Sequence, residues 1–112
     1  MDVVFYRGKK GDEPAREFVD SLEPKMQAKM LRLIRLLADN GNALREPYTK
    51  YLRDGVFELR AKEGSDITRV LYFYVVGNKA VLTHGFVKKT EKTPPSEIER
   101  AIRYRTQYNE GR

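Results

Sequence analysis

Apolar and polar positions alternate with two different periods along the chain. Val3-Val4-Phe5-Tyr6 is a short β-branched and aromatic run closed by Gly8-Lys9-Lys10-Gly11, which predicts a strand and then a turn. Helical spacing follows. Asp12 is placed to cap a short helix with Pro14 in its first turn and Phe18, Val19 and Leu22 as its apolar stripe. A second helix begins near Pro24, carries Met26, Met30, Leu33, Ile34 and Leu37 on one side, and meets a stop at Asn40-Gly41. Residues 42–50 read as a loop around Pro47. Three strands then follow at Val56–Lys62, Ile67–Val76 and Ala80–Lys88, separated by Gly64-Ser65-Asp66 and Gly77-Asn78. The middle run is apolar on both faces, as a central, covered strand would be. Thr93-Pro94-Pro95-Ser96-Glu97 starts a terminal helix whose face is set by Ile98, Ala101, Ile102 and Arg105. The expectation is one α+β domain over residues 1–112, with a small, mainly antiparallel meander sheet and the helices on one face.

Composition narrows the chemistry. With 112 residues, the chain is long enough to bury a single core of its own. The absence of cysteine excludes disulfides, a thiolate nucleophile and Cys-ligated zinc, and a single histidine, His84, leaves no His-rich metal site. No Walker loop, GxGxxG, metal-ligand spacing or nucleophile elbow occurs, so no cofactor and no metal are expected. The N-terminal residues lack a cationic leader followed by a long apolar run, and Val70–Val76, the longest apolar run, is far too short to span a bilayer. The cytoplasm is therefore the expected compartment, without a membrane partner. A formal charge of +6 changes the picture most, because fixed positive charge steers nucleic acid and phosphate.

The charge has a local focus. A tight turn at Gly64-Ser65 sets Arg60 opposite Arg69 on adjacent strands. Like charges in that position repel unless solvent screens them, a carboxylate sits between them, or an anion is bound. Glu58, on the same face as Arg60, supplies the carboxylate in one reading; in the other, the pair is a phosphate clamp, since a guanidinium fork holds two phosphate oxygens and keeps its charge. The position of His84 depends on the next turn. A two-residue turn gathers His84, Phe86 and Lys88 with the arginines, whereas a three-residue loop turns the histidine to the other face. Lys88, Lys89 and Lys92 lie where the last strand opens into a loop, which suits phosphates. Tyr48, Tyr51 and Phe86 offer rings on which unpaired bases stack.

Three stretches carry a family likeness: Asp54-Gly55-Val56-Phe57-Glu58-Leu59-Arg60, Thr68-Arg69-Val70-Leu71-Tyr72-Phe73, and His84-Gly85-Phe86-Val87-Lys88-Lys89-Thr90-Glu91-Lys92-Thr93-Pro94. Together they resemble the phage-derived, HigB-type branch of the RelE/ParE toxin superfamily. The resemblance implies a RelE-like fold and the toxin of a type II toxin–antitoxin pair. Toxins of the RelE and HigB kind enter the ribosomal A site and cut mRNA. A cognate antitoxin, commonly a HigA-type helix-turn-helix protein, neutralises them and carries the complex to operator DNA.

On that resemblance Arg69 matches the family's strand arginine, while Lys88, Lys89 and Lys92 approximate its basic cluster. Ser96-Glu97-Ile98-Glu99 stands where some relatives carry an aromatic, leaving the general base open. RNA cleavage without metal proceeds by attack of a 2′-hydroxyl on its own 3′-phosphate. Arg60 and Arg69 would stabilise the developing charge, and His84 or Lys88 would move protons. The ParE branch implies instead a gyrase inhibitor that cuts no RNA, and charge alone is equally consistent with a plain nucleic-acid-binding protein.

Overall fold

The computed structural model describes residues 1–111. In chain order the elements are β1 (Asp2–Phe5), α1 (Pro14–Ser21), α2 (Pro24–Asn40), β2 (Thr49–Arg53), β3 (Val56–Glu63), β4 (Asp66–Val75), β5 (Lys79–Lys88) and α3 (Pro95–Glu110), with a 3-10 turn at Gly41–Ala43. The fold is α+β: among the described residues, three α-helices and a five-stranded mixed sheet ordered β1-β5-β4-β3-β2. Four strands form an antiparallel meander, and β1 joins β5 in parallel, Asp2 opposite Lys79. No helix among the described residues is long and apolar enough to cross a membrane.

Alternation along the central strands divides the core in two. Leu59, Ala61, Val70, Tyr72, Ala80 and Leu82 face α1 and α2, where Val19, Met30, Leu33 and Leu37 cover them. Val56, Leu71, Phe73 and Val81 face the other way and are covered by Ile98, Ala101, Tyr104 and Tyr108 of α3. The helices therefore lie on both faces, not on one. A strand that is apolar on both sides, as β4 is, needs two layers to leave water.

Two further expectations are corrected. Residues 49–53, partly assigned to a loop, form the edge strand β2. Glu13 rather than Asp12 holds the N-cap position of α1, where it makes no side-chain cap, and Pro14 begins the helix. The β3–β4 hairpin closes as the tight Gly64-Ser65 turn predicts, with Glu63 opposite Asp66 and Gly64 at φ 63°, a conformation that favours glycine.

The β4–β5 connection combines both readings of its turn. Val75 pairs with Lys79 across a three-residue loop, and Thr83 then bulges, so that Tyr72 faces Leu82 but Leu71 faces His84. The bulge restores the register that puts His84, Phe86 and Lys88 on the face of the arginines. Just beyond it, α1 closes on β5 through a position where only glycine fits. A Cβ on Gly85 would stand 2.2 Å from the Phe18 ring and 2.9 Å from the Arg69 carbonyl oxygen. Gly85→Ala is therefore expected to destabilise by about 1–3 kcal/mol, read as a lower urea midpoint at unchanged m-value.

Candidate nucleic-acid site

The hairpin register sets Arg60 directly opposite Arg69, and Glu58 opposite Leu71 on the same face. Glu58 and Arg69 are completely buried, and the Arg60 side chain is only 11% exposed. The carboxylate lies between the two cations: Glu58 Oε2 is 3.0 Å from Arg60 Nε, and Glu58 Oε1 is 3.6 Å from Arg69 Nε. The first approach is not aligned as a hydrogen bond and the second is too long for one, so Arg60 Nε, Glu58 Oε2 and both Nε and Nη1 of Arg69 remain without a hydrogen-bond partner among the described residues. Burial pushes the Arg69 guanidinium below its ordinary pKa, against the pull of Glu58 and with a further push from Arg60.

The chain after β5 crosses this cluster as a strap, residues 89–93. Arg69 Nη2 donates to the carbonyl oxygens of Thr90 and, at 2.7 Å, of Glu91. Arg60 Nη2 also donates to the Glu91 carbonyl, at 2.6 Å, and Lys62 Nζ reaches the Glu91 carboxylate at 3.1 Å. That hydrogen bond from Lys62 is the main reason the Glu91 carboxyl lies below its usual pKa. Beneath the strap, buried Thr93 donates its hydroxyl to Glu58 Oε1. The cluster thus holds two guanidiniums against one buried carboxylate, and among the described residues the exposed Glu91 above supplies the balancing charge. An ion cluster buried with unmatched donors is weak as a source of stability, because desolvation outweighs attraction unless the geometry is good.

The other sequence-selected residues occupy three settings. His84 is 1% exposed and lies under α3, with Nε2 3.0 Å from Glu97 Oε1 and Nδ1 3.1 Å from Thr83 Oγ1. Burial pushes its pKa down to about 4, only partly offset by the hydrogen bond with Glu97, so the ring is neutral at pH 7. Phe86 links the two arrangements, stacked on His84 and 5.8 Å from the Arg69 guanidinium carbon. Lys88, Lys89 and Lys92 are exposed. Tyr104 and Tyr108 are committed to packing, Tyr104 against Tyr6 and His84 and Tyr108 against Phe73. Sequence reasoning missed Glu97, Thr93 and the two strap carbonyls; an acidic residue in the first turn of a helix beginning at Pro95 was the one available sign of Glu97.

Tyr51 is half exposed on β2, its ring edge against Phe57 and its hydroxyl accepting from the Gly55 amide at 3.1 Å. Tyr48 lies elsewhere. It helps line an open groove of about 560 Å³ between α2 and the end of β3, where β2 stops short and leaves the backbone at Ala61 and Lys62 uncovered. Lys29 Nζ spans the groove to the Lys62 carbonyl at 3.0 Å. Arg60, Lys62 and Glu91 form the wall toward the strap, so the groove and the buried arginine cluster are contiguous.

Over residues 17–106 the chain matches the family model described as "Phage derived protein Gp49-like (DUF891)". No curated protein matches it. That match covers most of the chain, from inside α1 to within α3, and so includes every residue of the arginine cluster and the strap. The chain belongs to the phage-derived Gp49-like family, a RelE/toxin-like family.

Proposed function

We propose that this protein is the toxin of a type II toxin–antitoxin pair, of the HigB type and with a RelE-like arrangement, and that it cleaves mRNA in the ribosomal A site. The observation that carries this reading is the Arg60–Glu58–Arg69 cluster, two cations on one carboxylate between a lysine-bearing strap and an open basic groove. Such a cluster suits an RNA phosphate that gains charge during reaction. The 2′-oxygen attacks the neighbouring phosphorus as the bond to the 5′-oxygen breaks. The products are a 2′,3′-cyclic phosphate and a 5′-hydroxyl. Arg60, at the groove wall, meets the phosphate first, and Arg69 joins when the strap carbonyls leave it. Lys88, Lys89 and Lys92 hold the flanking backbone and, with His84 once α3 shifts, move the protons. The ribosome supplies alignment of the strand. Membership of a RelE/toxin-like family supports the assignment. Its partners would be a HigA-type helix-turn-helix antitoxin, operator DNA through that antitoxin, and the ribosome in the cytoplasm.

Primer extension on a reporter mRNA in a translating extract tests the proposal. Cuts at codon-linked positions are expected, and they should vanish when translation is blocked. Cuts that persist would remove the ribosome from the mechanism, and an uncut message would remove the nuclease. In direct binding to single-stranded RNA, replacing Lys88, Lys89 and Lys92 together by alanine is expected to reduce the slope of log affinity against log salt by about 2. An unchanged slope would take the strap away from the phosphates.

One observation favours a second reading. Arg69 and His84, the two groups most suited to chemistry, are both buried and hydrogen-bonded. A protein that keeps them so would act by binding alone, as a ParE-like gyrase inhibitor does, and its expression would cause DNA damage with mRNA left intact.

A further inference from the structure

We infer that the groove between α2 and the end of β3 is a recognition subsite for one unpaired nucleotide, with a preference for bases that present amino groups. The inference rests on RNA as the substrate and adds to it the place where sequence is read.

Three features point to a nucleotide. The groove's volume of about 560 Å³ falls within the range of small-molecule sites, roughly 300–1,000 Å³. Its lining combines a half-exposed aromatic ring, Tyr48, with the apolar side chains of Leu33 and Leu36 across from it. The Tyr48 ring makes no aromatic contact and its hydroxyl no hydrogen bond among the described residues, while the Tyr48 carbonyl is fixed by the Arg60 amide at 3.0 Å. A ring held by its backbone and left open on its face is a stacking platform.

Charge supplies the rest. Lys29, Arg32, Arg60 and Lys62 line the groove against the carboxylates of Glu46 and Glu91. The other cations are engaged, Lys29 with Glu63 and Arg60 and Lys62 with Glu91. Arg32, exposed on α2, makes no ion pair among the described residues, so it is available to a phosphate. Glu46 is likewise exposed and unpaired among the described residues. In a site otherwise built for an anion, a free carboxylate accepts hydrogen bonds from a base edge. Guanine offers adjacent N1–H and N2–H donors, adenine and cytosine one amino group each, and uracil a single N–H between two repelling carbonyls. The expected order is guanine, then adenine and cytosine, then uracil. Because the groove shares Arg60 with the cluster, the bound nucleotide would flank the scissile phosphate.

Chemical-shift titration of the free protein, without ribosomes, tests this directly. Guanosine 3′-monophosphate is expected to shift Tyr48, Leu33 and Leu36 and to bind more tightly than uridine 3′-monophosphate. Tyr48→Ala is expected to weaken guanosine 3′-monophosphate about tenfold, the scale of losing one base stack. Glu46→Ala is expected to abolish the difference between guanine and uracil. Arg32→Glu, on the exposed side of α2, should weaken both nucleotides alike. The inference is overturned if shifts fall outside the groove, if inorganic phosphate reproduces them, or if Tyr48→Ala and Glu46→Ala change nothing. Codon-linked mRNA cuts without nucleotide binding in the groove would sink the subsite and leave the nuclease; binding without cuts would do the reverse.

Discussion

Arg69→Ala is expected to lower stability by about 3–5 kcal/mol and, with it, to abolish growth arrest. The stability loss follows from what remains behind. Glu58 would stay fully buried with only the poorly aligned Arg60 and the Thr93 hydroxyl beside it, and the strap carbonyls of Thr90 and Glu91 would lose their shared donor. An alanine substitution therefore confounds folding with chemistry. Replacing both buried partners, Glu58→Leu with Arg69→Met, is expected to restore most of the urea midpoint, because well-packed apolar groups of similar volume substitute for a buried pair at little loss. Arg60 keeps Glu91 in that variant. The double variant should fold, bind the antitoxin and leave growth unaffected. Recovery of growth arrest along with the midpoint would remove Arg69 from the reaction; a midpoint unchanged in the single variant would show that the cluster is not coupled as the geometry implies.

The second large effect is acid lability centred on His84. Its folded pKa of about 4 lies below the ordinary histidine value of 6.5, so the unfolded chain takes up a proton that the folded chain refuses. Stability is complete above pH 6.5 and falls as pH drops from there toward 4, by about 3 kcal/mol across the interval. The facing groups explain the sign: Glu97 attracts the charged ring, but burial, Arg100 and Arg103 oppose it. Glu63 and Glu91, whose carboxyls sit below their ordinary value beside lysines, lose their contributions only at lower pH, below the usual carboxylate pKa of 4.5. Urea unfolding between pH 7 and 4.5 therefore isolates the histidine. His84→Gln is expected to flatten the curve in that window; parallel curves for parent and variant would contradict the assignment.

Particular residues show why some of this arrangement was legible in the sequence and some was not. The facing of Arg60 and Arg69 followed from the turn at Gly64-Ser65 and strict strand alternation, which also put Glu58 on the same face. The edge strand β2 was obscured because Pro47 precedes it and its Lys50 and Tyr51 are exposed, so it lacks the apolar signature of a buried strand. The position of α3 was encoded, but in its partner: β4 is apolar on both faces, which calls for a second layer. The Thr83 bulge had no sign in residue type, since it reconciles a three-residue loop with the register beyond it. Carbonyl caps on Arg69 were equally invisible, because every residue carries a carbonyl and only the path of the strap decides which one arrives. The choice between a neutralised cluster and a phosphate clamp depended on that path.

The parallel pairing of β1 with β5 has a consequence for how the protein comes into being. Residues 2–5 pair with residues 79–82, which are made much later, and α1 and α2 must cover strands that are made after them. Closing so long a loop is slow, and until the strands from β3 onward emerge the two helices carry an apolar face with nothing to bury it. The arginine cluster and its strap, spanning residues 58–93, are also assembled from this late stretch. A nascent chain halted before β3 would therefore be an unfinished, sticky helical hairpin without its arginine cluster, and a client for chaperones or proteases rather than a working protein.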